Sequence, residues 1–62
     1  MLTEERYAKI LSRLAEKKAV TVAELTELLG ASEATVRRDL NALADLGRLN
    51  KVHGGATALS GV

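Results

Sequence analysis

The chain has 62 residues, 9 Lys+Arg against 8 Asp+Glu, a single His, and no Cys, Pro, Trp or Phe. That length makes one small domain at most, burying roughly 60% of its unfolded surface. The missing cysteines exclude disulfide frameworks and thiolate metal sites, and one His with two Asp argues against an enzyme, so no cofactor or metal is expected. No apolar run approaches the roughly 18 residues of a membrane span, and Met1-Leu2 leads directly into Thr3-Glu4-Glu5-Arg6 without an apolar signal segment, so no membrane association and a cytoplasmic location are expected.

Eleven Leu and ten Ala favour helices. The first helix is expected to begin near Thr3 as N-cap, with Glu4 and Glu5 where the helix dipole favours anions. Tyr7, Ile10, Leu11 and Leu14 share one face at i, i+3, i+4, i+7 spacing, and Glu16-Lys17-Lys18 ends the helix. Ala19-Val20-Thr21-Val22 is β-branched but long enough only for a bridging strand. Thr21-Val22-Ala23-Glu24 has capping-box spacing, so Thr21 opens the second helix. Val22, Leu25, Leu28 and Leu29 are its buried face, and Gly30 is its stop.

Gly30, Ala31 and Ser32 are all that separate this helix from the third, where Ser32 is the N-cap signal and Glu33 lies in the first turn. Val36, Leu40 and Leu43 form its buried stripe and Gly47 closes it. Two helices joined by so short a Gly-containing turn form a helix-turn-helix. Beyond Gly47 the period changes. Leu49 and Val52 lead into a His53-Gly54-Gly55 turn, and Ala56-Thr57-Ala58-Leu59 runs back as a second strand poor in β-formers. The expected fold is mainly α, a three-helix winged helix-turn-helix with a small C-terminal β-hairpin wing. It fills residues 1–62 as one domain, with the helix-turn-helix at about 20–39 and the wing at about 48–59.

On a wheel at about 100° per residue with Val36 at zero, Ala34, Arg38, Asn41 and Asp45 lie at roughly 140–200°. Arg37 flanks that face at about 100°, and Thr35 lies on the other flank. Small and hydrogen-bonding side chains with two adjacent arginines suit a helix lying in the major groove, where arginine holds guanine or phosphate. The charge distribution agrees: residues 1–35 carry five cations and six anions, whereas 36–62 carry Arg37, Arg38, Arg48 and Lys51 against Asp39 and Asp45. Asp45 would repel phosphate, but it lies about two turns beyond Arg38. Asp39 falls nearer the buried side and reads as structural, paired with a neighbouring helix or with Arg48. Lys51 reads as a phosphate contact and Lys17-Lys18 as a solvated helix end. His53 has two readings, a wing-tip donor to phosphate or minor groove and a turn residue capping a backbone group.

Taken together, Ser32-Glu33-Ala34-Thr35-Val36-Arg37-Arg38-Asp39-Leu40 and Val52-His53-Gly54-Gly55-Ala56 resemble the DeoR-type bacterial repressors. Their N-terminal domain carries an S-x-x-T-[IV]-R-R-D-L helix and an R-V-H-G-G-A wing. Arg6 with Ile10, and Val20 with Glu24-Leu25, also agree, so the resemblance spans residues 3 to about 58. Asn50 departs from it where the family often has a second basic residue, and Ala31 where a β-branched residue is usual. The resemblance implies a domain that binds double-stranded operator DNA to control genes of sugar uptake or catabolism. Candidate DNA contacts are Ser32, Glu33, Ala34, Thr35, Arg37, Arg38 and Asn41 on the helix and Lys51, His53, Gly54 and Gly55 on the wing. It also implies a sugar-phosphate effector bound through a C-terminal domain absent from this chain, which is also the part that assembles the oligomer. Ser60-Gly61-Val62 then stands where a linker is expected to begin.

A winged helix used as a protein-interaction module would show an apolar patch on the third helix, where this chain has Ala34, Arg38 and Asn41. An enzyme would need a nucleophile–base pair, and no credible spacing offers one. Four to six cations facing phosphate give an expected salt slope of roughly −4 to −5, and a single module buries on the order of 600–1,000 Å². The isolated chain is therefore expected to be a monomer that binds weakly and gains operator affinity when paired on two half-sites.

Overall fold

Apolar side chains spaced one helical turn apart close on one another in the computed structural model, which describes residues 2–59. In chain order the elements are α1 (Thr3–Lys17), β1 (Ala19–Thr21), α2 (Val22–Leu29), α3 (Glu33–Asp45), β2 (Asn50–Val52) and β3 (Gly55–Thr57). Ile10 and Leu14 of α1, Val22, Leu25 and Leu29 of α2, and Val36, Leu40 and Leu43 of α3 share one core. Val20, Leu49 and Ala56 close it from the sheet side, and Tyr7, Leu11 and Leu28 pack on its rim. The architecture is a three-helix winged helix-turn-helix. Ser60-Gly61-Val62, the expected linker start, lies outside the described residues.

Helix ends follow local chemistry, with one correction. Thr3 is not the N-cap of α1: Leu2 occupies that position in extended conformation with no side-chain cap. Thr3 is already in the helix, where its hydroxyl cannot fold back on the first-turn N–H groups; it receives Arg6 Nη2 at 3.4 Å instead. Thr21 does cap α2, its Oγ1 accepting the Glu24 N–H at 3.0 Å while Glu24 Oε1 accepts the Thr21 N–H at 3.3 Å. Gly30 ends α2 at φ 62°. In α3 Leu46 is the C-cap and Gly47 closes the helix, as expected. Gly47 takes the left-handed position beyond it, φ 73°. The bonds from Gly47 N–H to Ala44 O (3.0 Å) and Arg48 N–H to Leu43 O (2.9 Å) make a Schellman motif.

The wing differs more. Rather than a free two-stranded hairpin, the chain forms a three-stranded antiparallel sheet in the order β1-β3-β2. The turn is His53-Gly54, with the positive φ (78°) on Gly54 alone, and Gly55 begins the central strand. There Gly55 faces Thr21 across β1, so close that a Cβ would come within 2.1 Å of the Val20 carbonyl oxygen. A strand poor in β-formers thus becomes central because it is small enough to lie between two others. The return strand ends at Thr57, and Leu59 is exposed outside it. Beyond the ladder proper, Val22 N–H donates to Gly54 O (2.8 Å) and Ala58 N–H to Lys18 O (2.8 Å).

Lys17, read as solvated, forms an ion pair with Glu24 across the β1 connection. That hydrogen bond, reinforced by the Thr21 N–H, holds the Glu24 carboxyl below its ordinary 4.5. A depressed carboxylate contributes stability that is present above its unfolded pKa and lost as pH falls through its folded one. Glu24→Gln should therefore lower Tm at pH 7, with the gap to wild type narrowing as pH falls below the ordinary carboxyl range in thermal melts; a gap independent of pH would contradict the pairing. The glycines give a second prediction. Gly54→Ala, in open space, should cost about 1–2 kcal/mol for its left-handed backbone and keep the sheet. Gly55→Ala should cost more and abolish amide protection in β1 and β3, because the obstructing atoms are backbone. Equal costs in urea unfolding would count against the close approach.

Candidate nucleic-acid interface

The orientation of α3 begins with a buried charge. Asp39 lies on α3 only 2% exposed. Arg6 of α1 meets it in a two-pronged contact, Nε to Oδ2 at 2.6 Å and Nη2 to Oδ1 at 3.2 Å. A carboxylate removed from water needs such a partner, and the same hydrogen bond raises the Arg6 guanidinium above its already high ordinary pKa. Of the two sequence alternatives for Asp39, the neighbouring helix is the one observed, and Arg48 forms no ion pair with it among the described residues. The contribution of Arg6 was not legible beforehand: 33 residues separate the pair.

With Asp39 and the Val36, Leu40, Leu43 stripe turned inward, the opposite side of α3 faces solvent. Ala34, Arg38 and Asn41 are exposed there, as the wheel requires. Arg38 has no ion pair or side-chain hydrogen bond among the described residues, so its guanidinium is available to a ligand. Arg37, on the flank, reaches back one turn to Glu33 (3.3 Å); both are exposed, and such surface pairs contribute little. Ser32 serves the helix itself: its Oγ accepts the Thr35 N–H at 3.2 Å and donates to Thr35 Oγ1 at 3.1 Å. Thr35 is half-buried beside it.

On the wing, Lys51, His53 and Gly54 are exposed and Gly55 is buried. Gly55 was read with the turn; its burial between strands gives this glycine a packing role. Register pairs Lys51 with Ala56, which also pairs with Val20. Paired residues share a sheet face, so Lys51 stands on the helix-facing side, at the exposed edge strand. Neither Lys51 nor His53 has a side-chain hydrogen bond or ion pair among the described residues, so no backbone-capping role for His53 is seen there. The structure thus presents two sets of free polar groups, one on α3 and one on the wing. None of the helices is long and apolar enough to cross a membrane among the described residues.

Comparison with known proteins places this geometry. The DeoR-like helix-turn-helix domain model matches residues 6–62. Over 62 residues the chain is 45% identical to the uncharacterized HTH-type transcriptional regulator FruR of Bacillus subtilis, covering all of this chain and 25% of that protein. It is 44% identical to the HTH-type transcriptional regulator GolR of Listeria innocua over 95% of the chain and 23% of the relative. With UlaR of Shigella flexneri, also an HTH-type transcriptional regulator, identity is 43% over 97% of the chain and 24% of the relative. The chain spans about a quarter of the length of these relatives. No solved structure matches. The relatives are named as regulators of transcription rather than enzymes, and the chain belongs to the family of DeoR-like helix-turn-helix domains.

Proposed function

We propose that this chain binds double-stranded operator DNA in sequence-specific transcriptional regulation, as the DNA-binding domain of a cytoplasmic repressor of sugar uptake or catabolism genes. The observation that carries the reading is the solvent face of α3, where an unpartnered Arg38 stands between Ala34 and Asn41 with the core directly behind it. Placed in a major groove, that face brings a guanidinium and an amide to base edges while a small side chain lets the backbone approach. Ser32 and Thr35 then lie at the helix start against the sugar-phosphate backbone, where Ser32 keeps its capping bond, while Glu33, held by Arg37, is an acceptor for a base-edge amino group rather than a phosphate contact. The wing brings Lys51, His53 and the backbone at Gly54 to the adjacent backbone or minor groove, with Gly55 packed behind them between the strands.

The whole chain acts as one domain in this reading, the helix-turn-helix at 20–39 and the wing at 48–59. By itself it is a monomer. The protein of which it is the DNA-binding part is a homo-oligomer that responds to a sugar phosphate through residues outside this chain. What supports those features is the family to which the chain belongs.

The two arginines have separable roles. Arg38, central on the face, reads a base, and replacing it with alanine should cost about 1–3 kcal/mol at the preferred site and relax the preference at one base pair. Arg37, on the flank, holds phosphate; Arg37→Ala should weaken all sequences about equally and reduce the salt slope by roughly 1. Binding titrations against a randomised duplex pool over a range of salt separate the two. If the double variant keeps its circular dichroism spectrum and its DNA affinity, the groove reading is wrong.

A further inference from the structure

We propose that the hydrogen bond from the Val22 N–H to the Gly54 carbonyl is the tether that sets the wing tip against the helix-turn-helix, with Thr21, Glu24 and Lys17 as positioning residues for the wing's phosphate contacts. The proposal rests on the reading that the wing meets DNA. Its starting point is the N-terminus of α2, where the first N–H groups have no intrahelical acceptor. Glu24 gives its N–H to Thr21 Oγ1 (3.0 Å). Val22, the first residue of the helix, gives its N–H to Gly54 O at 2.8 Å. One end of that bond belongs to the helix-turn-helix and the other to the wing turn.

The ends of the turn are held by the Val52–Gly55 and Thr21–Gly55 pairs, but its two central residues have little packed against them. His53 and Gly54 are exposed, and a Cβ built on Gly54 would meet nothing within 4 Å. The tether's direction is set by the helix end, and the helix end is held by a clamp. Glu24 Oε1 accepts the Thr21 N–H at 3.3 Å, while Oε2 accepts Lys17 Nζ from the end of α1. Lys17, Thr21 and Glu24 line the same shallow groove of about 370 Å³ as Val52, His53 and Gly54. The clamp and the turn whose carbonyl it orients therefore border one groove. None of its side chains needs to touch DNA. Their effect on binding passes through the position of Lys51 and His53.

Proline at position 22 isolates the tether. A proline is accommodated at the first position of a helix, where its fixed φ is already helical and its missing N–H is not needed by the helix. The residue before it must be extended, and Thr21 already is, at φ −102° and ψ 158°. Val22→Pro thus removes the bond to Gly54 and puts the ring Cδ where the amide hydrogen pointed, driving the Gly54 carbonyl away while the capping box stays available; Val22→Ala, which trims the side chain but keeps the N–H, is the control. Two readouts apply to the full chain. Fast backbone dynamics at 52–55, from heteronuclear NOEs without DNA, should rise in Val22→Pro and not in Val22→Ala. With a short generic duplex, the salt slope should fall by roughly 1 to 2 in Val22→Pro only, the loss of one or two wing phosphate contacts, with the Arg37→Ala effect unchanged. Equal wing dynamics and equal slopes in the two variants overturn the tether. Should Val22→Pro not fold, hydrogen exchange of the wild-type Val22 amide decides: protection of at least tenfold over its unstructured rate is expected, and exchange at that rate overturns the proposal. Failure of the wild-type chain to bind duplex is a different result, since it removes the DNA reading while the dynamics arm still tests the tether.

Discussion

Asp39 sits on α3 with 2% of its surface exposed, and a carboxylate in that place demands a cation. Arg6 supplies one from α1 through two hydrogen bonds, which fix distance and orientation together. An apolar stripe alone tolerates some rotation of a helix about its own axis, because leucine and valine side chains have no preferred partner atoms. A bidentate ion pair does not. By locking one side of α3 to α1, it determines which residues are left on the other, and Arg38, next in sequence to Asp39, is swung to the solvent side. Removing either partner would leave a charge to rehydrate within a core that a chain of this size has little stability to spare for.

The second constraint is the close approach at Gly55. Because β3 lies between β1 and β2, the wing is an extension of the sheet that starts before α2 rather than an appendage after α3. The core gains Val20 and Ala56 by it. Wing and helix-turn-helix are thereby parts of one body, and the exposed cations of the wing and the exposed face of α3 hold a defined relation to each other. A DNA duplex is a rigid, regularly spaced partner, so in the proposed reading that relation lets both sets engage at once.

Much of this was legible from residues near one another in the chain. The stripe of Val36, Leu40 and Leu43, the capping box at Thr21, the cap at Ser32 and the stop at Gly30 are local signals, and each specifies its own stretch of backbone. At Thr3 the same kind of signal misled, since a hydroxyl near a helix start does not say on which residue the helix begins. The partner of Asp39 was left open because 33 residues intervene and burial, not spacing, selects Arg6. Gly55 was placed in the turn because a Gly-Gly pair reads as one locally; its reason for being glycine is a carbonyl on β1, visible only once the sheet is formed. The exposed face of α3 is readable because helical period alone separates it from the core, whereas the pairing of Arg37 with Glu33, and not of Arg38, depends on side-chain positions that the period does not specify.

In the proposed reading α3 and the wing form a single surface for duplex DNA, oriented by the Arg6–Asp39 pair and the sheet. An amide NMR titration of this chain with a short generic duplex at low salt, repeated at about 300 mM where phosphate contacts weaken steeply, tests it most directly. Shifts concentrated at 32–41 and 51–56 that fade together as salt rises are the expected result. Shifts absent at both salts, or centred on the exposed side of α1, would contradict it.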